Sequence, residues 1–142
     1  AHYARYLVQI GKVSNDGQAF KRYLGSGKSC FVKAEWVDIP MAIDTIHAAG
    51  GVAVIAHPMR YNMTGKWIRR LIIDFKQWGG DGMEVADSGQ TKDQRQYLAR
   101  LANEYDLAAS LGSDFHFPCG WIELGKNLFL PEEVKPIWTF FE

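Results

Sequence analysis

The chain has 142 residues, of which 47% are hydrophobic, and its 16 lysines and arginines balance its 16 aspartates and glutamates. This length suits one domain with a substantial core, and the balanced charge excludes a global electrostatic attraction to nucleic acid. No apolar run reaches membrane-spanning length, no signal-peptide pattern opens the chain, and Cys30 and Cys119 form no Cys-x-x-Cys pair. We therefore expect a cytoplasmic protein with free thiols and no membrane segment.

The first third of the sequence predicts helices. Apolar residues recur at helical spacing over residues 2–11, and Asp16 is the expected N-cap of a short second helix. Residues 28–37 show no regular period and predict a loop, after which Asp38 is the expected N-cap of a third helix. Because the chain opens in a helical pattern without an initiator Met, we expect it to be a piece of a longer protein.

The remainder alternates between short apolar runs and helical periods. The predicted elements are a strand at 52–56, a helix at 66–78, a strand at 82–86, a helix at 92–105, a strand at 107–111 and a terminal helix after Pro131. The short apolar runs are typical of strands covered on both faces. This order implies crossover connections and a parallel sheet or part of a barrel.

Possible metal ligands follow two of the predicted strands. His57 comes directly after the first strand, and Asp114 and His116 come just after the third. Sites in parallel α/β folds form at the carboxyl ends of strands, so these side chains are expected at one edge of the sheet. Asp114 and His116 are two residues apart and would point the same way in an extended segment. Two histidines and a carboxylate suit Zn²⁺, Mn²⁺ or Fe²⁺ better than Ca²⁺.

Structural alternatives exist for each of these residues. Taken alone, the motif favours Asp114 as the cap of a turn, with His116 packed beside Phe115 and Phe117. The His57-Pro58 pair can mark a turn in which the imidazole is hydrogen-bonded to the backbone. Taken singly, the His57-Pro58 pair does not decide between a turn and a metal ligand.

Other polar residues fall near the same edge. Arg60 lies on the loop after His57, where a guanidinium can clamp a phosphate through two hydrogen bonds. Glu84 lies inside the second predicted strand and is a weaker candidate for a metal ligand. Asp87 lies at the carboxyl end of that strand. The basic residues that open the next helix are interpreted as an ordinary solvated face; they are Lys66, Arg69 and Arg70.

The ordered set of motifs resembles the PHP (polymerase and histidinol phosphatase) family, and within it the branch of nucleotide phosphoesterases that includes nucleoside 3′,5′-bisphosphate phosphatases and 5′–3′ exoribonucleases. The motifs that carry the resemblance are Gly50-Gly51-Val52-Ala53-Val54-Ile55-Ala56-His57-Pro58, Gly112-Ser113-Asp114-Phe115-His116, His2-Tyr3-Ala4-Arg5 and, for the exoribonucleases in particular, Trp121-Ile122-Glu123-Leu124-Gly125. The likeness runs over nearly the whole chain. The metal-binding motifs that open the family's sequences are absent, so the resemblance covers only a C-terminal portion.

The resemblance implies an α/β fold that is the second half of a distorted (β/α)₇ barrel with parallel strands. Residues 1–38 would be the helical part of an inserted subdomain and residues 39–142 the barrel half. The metal positions of the family match His57, Asp114 and His116, and its substrate contacts match Arg60, His2 and Arg5. The metals would be divalent, most often manganese, with iron or zinc as alternatives.

The resemblance also implies an activity. In the full-length protein, water activated by the metals would hydrolyse phosphoesters of 3′,5′-bisphosphonucleotides or trim 5′-phosphorylated RNA. The other half of the protein would be the necessary partner, and this chain alone would be inactive. Two other classes stay open at this stage: a non-catalytic metal-binding or interaction module, and a metallohydrolase of the amidohydrolase type.

Overall fold

The computed structural model describes residues 2–118, 120 and 122–141. Contacts divide the chain into two compact units, Ala1–Trp36 and Val37–Glu142. The assignment of residues 1–38 to an inserted subdomain and of residues 39–142 to half a barrel stays a prediction. The interpretations that concern Cys119 and Trp121 lie outside the described residues.

The first unit is helical. Helix α1 spans His2–Gln9, and helix α2, Asp16–Ala19, continues into a single π-helical segment at Phe20–Leu24. The N-cap of α2 is Asn15 and not Asp16, because the Asn15 backbone is extended and its side-chain oxygen accepts from the backbone N–H of Gln18 at 2.9 Å. A small core holds this unit together; its buried residues are Ala4, Val13 and Ala19.

The second unit contains a parallel sheet and three helices. In chain order its elements are α3 (Ile39–Ala48), β1 (Val54–Ile55), α4 (Gly65–Gln77), β2 (Gly82–Asp87), α5 (Lys92–Glu104) and β3 (Ala108–Gly112). The strands pair in the order β1-β2-β3, and both pairings are parallel. Asp38 caps α3 by accepting from the backbone N–H of Met41 at 2.9 Å. The α/β alternation and the parallel sheet expected from the sequence are confirmed.

The expected terminal helix is wrong. Between residues 132 and 141, the one helical segment is a 3₁₀ turn at Ile137–Phe140. Upstream of that turn, the chain lies extended along β3, where the backbone N–H of Ala109 donates to the carbonyl of Lys135 at 2.7 Å. Pro136 cannot donate a helical hydrogen bond, and its neighbour is biased towards extended backbone, which favours this arrangement.

Strand β2 lies in the middle of the sheet and is buried along its whole length. Its pairing with β3 shifts between Glu84 and Ala86: Glu84 lies opposite Ser110, but Ala86 lies opposite Leu111. The extra residue on β2 is a bulge, a feature that changes the direction of the side chains that follow it. The bulge therefore sets where Asp87, the last residue of β2, projects at the carboxyl end of the sheet.

The chain leaves β1 through a left-handed residue. His57 has φ 32° and ψ 56°, and it is followed by a 3₁₀ turn at Pro58–Arg60. Pro58 is fully buried, which anchors the turn. The hydroxyl of Tyr61 donates to the carbonyl of Ala56 at 2.8 Å and closes the loop from its other side. A non-glycine residue in this region costs energy and is held there by such surrounding contacts.

The left-handed backbone at His57 predicts an unusual order of stabilities. The His57→Gly variant should be more stable than His57→Ala by about 1 kcal/mol in the free energy of unfolding, because only glycine enters this region without a steric cost. Urea unfolding measures the difference. At Asp44, inside α3, the order should reverse, with Asp44→Ala more stable than Asp44→Gly by about 1 kcal/mol. Equal stabilities of the two His57 variants would contradict the turn.

Candidate metal and phosphate site

The backbone of His57 is hydrogen-bonded to a buried carboxylate, that of Glu84. The backbone N–H of His57 donates to Glu84 Oε2 at 2.9 Å, and the His57 and Tyr61 rings meet edge to face with 5.9 Å between centroids. Glu84 is only 8% exposed. Burial raises the pKa of Glu84, and the hydrogen bond and the nearby imidazole of His57 partly oppose that rise. The carboxylate that sequence reasoning ranked low is therefore in direct contact with the predicted ligand His57.

Two buried ligand-type atoms in this region have no hydrogen-bond partner. They are His57 Nδ1 and Glu84 Oε1. Buried polar atoms are nearly always hydrogen-bonded, so an unpartnered pair at the edge of a sheet calls for an explanation. An imidazole nitrogen and a carboxylate oxygen are donors that Mn²⁺, Fe²⁺ and Zn²⁺ accept. These two atoms fit a divalent metal.

Arg60 connects the ends of the neighbouring strands. Its Nη1 donates to Asp114 Oδ2, just past β3, and its Nε lies 3.5 Å from Asp87 Oδ2 at the end of β2. The expected meeting of the loop after β1 with the residue after β3 is thus present. One guanidinium faces two carboxylates there, so these three side chains together carry one excess negative charge.

Asp114 and His116 lie together, but not as the extended pair expected from their spacing. Asp114 has φ 53°, and β3 ends at Gly112, so the backbone has already turned before the motif. The Nδ1–H of His116 donates to the Asp114 carbonyl at 2.8 Å and lies 3.8 Å from its carboxylate Oδ1. In the neutral imidazole that bond leaves Nε2 as the free acceptor. The His116 side chain is 72% exposed, so the packing alternative is not what the structure shows.

The turn after β2 is held by its own side chains. Asp87 Oδ1 accepts from the backbone N–H of Gly89 at 2.7 Å, and Gln90 Oε1 accepts from the backbone N–H of Asp87 at 3.1 Å. Beneath the turn, Arg95 is 3% exposed and its Nη2 donates to the carbonyls of Asp87 at 3.2 Å and Asn127 at 3.1 Å. Arg95 thereby fixes the backbone at the end of β2.

Sequence reasoning missed the roles of Glu84 and Arg95. The signal for Glu84 was a carboxylate inside an apolar strand. The signal for Arg95 was a cation on the apolar stripe of α5, where it shares the helical spacing of Leu98, Ala99 and Ala102. Charged residues are almost never fully buried without partners, so each position marked a local requirement.

The remaining predicted residues are carried by helices α1 and α4. His2 and Arg5 are exposed on α1 of the first unit, and their expected contact with substrate stays a prediction. On α4, Arg69 donates to Glu104 and to the Tyr105 hydroxyl, and Arg70 pairs with Asp74 at 2.9 Å. These pairs agree with the interpretation of that helix face as solvated.

In the part of the chain that the structure describes, no group of three or more His, Cys, Asp or Glu side chains is arranged to hold a metal ion. The geometry pairs Asp114 with His116, and His57 with Glu84. The ligand set of His57, Asp114 and His116 therefore stays a prediction. Over the same residues, no helix has the length and hydrophobicity needed to cross a membrane.

Comparison with known proteins places these residues in context. No protein-family model matches the chain. It is 79% identical over 141 residues to a 5′-3′ exoribonuclease of Haemophilus influenzae and 50% identical over 141 residues to the 5′-3′ exoribonuclease Rnm of Escherichia coli. It is also 42% identical over 142 residues to a 3′,5′-nucleoside bisphosphate phosphatase of Chromobacterium violaceum. Each match covers 99% of this chain but only 52%, 48% and 50% of the respective relative.

Solved structures also match nearly the whole of this chain and about half of their own length. An amidohydrolase from Chromobacterium violaceum, with bound sulfate and no metal, matches 97% of this chain and 48% of its own, with a TM-score of 0.77 and 42% identity. A proposed metal-dependent phosphoesterase from Bifidobacterium adolescentis matches 98% of this chain and 49% of its own, with a TM-score of 0.68 and 27% identity. The resemblance found in the sequence is confirmed, and the chain spans about half the length of these proteins. By sequence, the chain is a homologue of bacterial 5′-3′ exoribonucleases and of a 3′,5′-nucleoside bisphosphate phosphatase, and its fold is similar to those of the two solved structures.

Proposed function

We propose that the full-length protein is a divalent-metal-dependent phosphoesterase of the PHP type that acts on nucleotides in the cytoplasm. Its substrates are 3′,5′-bisphosphonucleotides or 5′-phosphorylated RNA, which it would trim in the 5′ to 3′ direction. The observation that carries this proposal is the 79% identity to a 5′-3′ exoribonuclease over 141 residues. The cluster at the carboxyl end of the sheet supports it, because its side chains have the chemistry that phosphoryl transfer needs.

The proposed metal ligands are His57, Asp114 and His116. Glu84 joins them as a buried carboxylate whose Oε1 has no hydrogen-bond partner. A bound divalent metal supplies a water of lowered pKa and stabilises charge on the phosphoryl oxygens. Manganese is the proposed ion, with iron or zinc as alternatives.

The proposed role of Arg60 is to bind and orient the phosphate. Its guanidinium lies between the strand ends, 38% exposed, and lines a cavity of about 160 Å³ together with Asp87 and Gln90. A guanidinium in such a place can donate two parallel hydrogen bonds to a phosphoryl group. Gln90 adds a second donor, since its Oε1 is engaged by the Asp87 backbone while its buried Nε2 has no partner.

The site is proposed to be completed by the other half of the protein. The chain spans about half the length of the curated relatives it matches, and its described residues assemble no group of three ligands. The missing ligands would come from an N-terminal barrel half, and this chain alone would be inactive. Its own contribution is the second half of the barrel edge, including the loops after β1, β2 and β3.

A second candidate is hydrolysis of amides, since one of the matching solved structures is named an amidohydrolase. A non-catalytic metal-binding or interaction module is the third. A screen of bisphosphonucleotides, short 5′-phosphorylated RNA and amides separates the three: turnover of amides alone favours the second, and metal binding without turnover favours the third.

Replacing Asp114 by Asn tests the ligand assignment. In the full-length protein, Asp114→Asn should lower the rate of phosphoester hydrolysis by at least about a hundredfold, because a neutral amide binds divalent metal poorly and second-shell changes alone cost that much. Asn tolerates the left-handed backbone, so circular dichroism should show an unchanged fold. The matched control is Asp106→Asn, at an exposed aspartate that also has positive φ. Wild-type turnover in Asp114→Asn would refute the assignment.

Removing metal tests the cofactor. Dialysis of the full-length protein against EDTA should abolish hydrolysis of both nucleotide substrates, and Mn²⁺ should restore it better than Ca²⁺, which prefers all-oxygen sites. Initial rates after addition of each ion give the order of preference. Dialysis against EDTA already saturated with Mn²⁺ is the control. Full activity in a sample shown by elemental analysis to contain no metal would exclude the proposed chemistry.

A further inference from the structure

A second, larger cavity opens beside the cluster of Arg60 and Asp114. Its volume is about 870 Å³, within the range typical of sites for small organic ligands. We call it the distal cleft. Its described lining residues are Ser88, Phe115, Pro118, Gly120, Ile122, Glu123, Leu124, Lys126 and Asn127.

The distal cleft is attached to the strand ends that carry the site. Ser88 follows Asp87 in the chain, and Phe115 follows Asp114. The Ser88 hydroxyl donates to the carbonyl of Ser113 at 3.2 Å, which joins the ends of β2 and β3. The cleft therefore lies beside the strand ends that carry Asp87 and Asp114.

The far wall of the cleft is also fixed to the sheet. The side-chain amide of Asn127 donates to the backbone carbonyl of Ser88 at 3.5 Å, and the backbone carbonyl of Asn127 accepts from Nη2 of the buried Arg95 at 3.1 Å. The Arg95 guanidinium lies 3.9 Å from the centre of the Phe129 ring, which packs the following residues against α5. Hydrogen bonds therefore link both Ser88 and Asn127, which line the cleft, to the ends of the strands.

The chemistry of the lining favours a flat, uncharged group. Phe115 supplies an aromatic ring that is only half buried, and Ile122 and Leu124 supply apolar surface. The two charged residues of the lining, Glu123 and Lys126, pair with each other at 3.0 Å and cancel. A cleft of this kind does not select a bare phosphate or a metal ion, but it suits a nucleobase, which has apolar faces and polar edges.

We propose that the distal cleft holds the base of the second nucleotide of a single-stranded RNA, stacked on Phe115, while the phosphate that joins the first and second nucleotides lies at Arg60. The proposal rests on the function proposed above and deepens it, because a 3′,5′-bisphosphonucleotide has no second base to place there. The Arg60 cavity of about 160 Å³ is too small to hold a second nucleotide as well as a phosphate. The distal cleft therefore makes the protein select RNA over the mononucleotide.

Substitutions at Phe115 test the stacking in the full-length protein. Phe115→Ala should weaken binding of a 5′-phosphorylated pentaribonucleotide about tenfold, the typical loss when an aromatic ring under a base is removed. Phe115→Leu keeps apolar volume without a flat ring and should show a similar loss, whereas Phe115→Tyr should bind as the wild type does. Fluorescence anisotropy of a labelled oligonucleotide gives the affinities. The matched control is Phe117→Ala, at a 58% exposed ring that does not line the cleft.

Comparison of substrates separates this proposal from the general function. Hydrolysis of a nucleoside 3′,5′-bisphosphate should be unchanged in Phe115→Ala, while kcat/KM on RNA should fall with the affinity. An equal loss on both substrates would show that Phe115 only supports Asp114 and would overturn the cleft assignment. Failure of the wild type to bind RNA would overturn it too. Absence of hydrolysis of either substrate, with Phe115-dependent RNA binding retained, would instead reject the proposed function and keep the cleft.

Discussion

The site depends on the compensation of carboxylates by Arg60. Asp87 and Asp114 extend from the ends of two neighbouring parallel strands, and without a cation between them their charges would repel. Arg60 lies on the loop after β1 and contacts both carboxylates. A guanidinium is suited to this position because it is always charged and presents several donors in fixed directions. Its contacts link all three strand ends into one structure.

Glu84 is a buried carboxylate with no ion pair among the described residues. Its burial in the central strand raises its pKa, and the hydrogen bond from the backbone N–H of His57 stabilises its charged form. Such an arrangement costs stability, and groups perturbed in this way cluster at functional sites. The left-handed turn at His57 belongs to the same region, so backbone strain and a poorly solvated carboxylate occur side by side. Both features are expected where a ligand, and not the protein alone, completes the set of contacts.

Much of the second unit could be predicted from hydrophobic periodicity. Helix α5 was expected at 92–105 and spans Lys92–Glu104, and β2 was expected at 82–86 and spans Gly82–Asp87. Long amphipathic helices and short apolar strands produce strong periodic signals, and parallel order follows from their alternation. The same rule placed the loop after β1 and the residues after β3 at one edge, as the contact between Arg60 and Asp114 shows.

What periodicity could not predict depends on single backbone angles and on tertiary pairing. Asp114 was expected in an extended segment, but its positive φ turns the chain, and no pattern of apolar residues encodes that turn. The segment after Pro131 has helical spacing of apolar residues, yet it pairs with β3 because a sheet edge was available to it. The sequence places Glu84 in mid-strand and does not show that its side chain reaches the backbone of His57.

The excess of negative charge at the strand ends bears on the fact that the chain spans about half the length of its relatives. Around the strand ends, the single guanidinium of Arg60 faces the carboxylates of Asp87 and Asp114, with Glu84 close behind. The one positive charge of Arg60 is already outweighed by these carboxylates, so a phosphate bound here would add to the excess of negative charge. A phosphate can be held here only when further positive charge offsets the carboxylates. In the proposed function, that charge comes from divalent metal held partly by the other half of the protein.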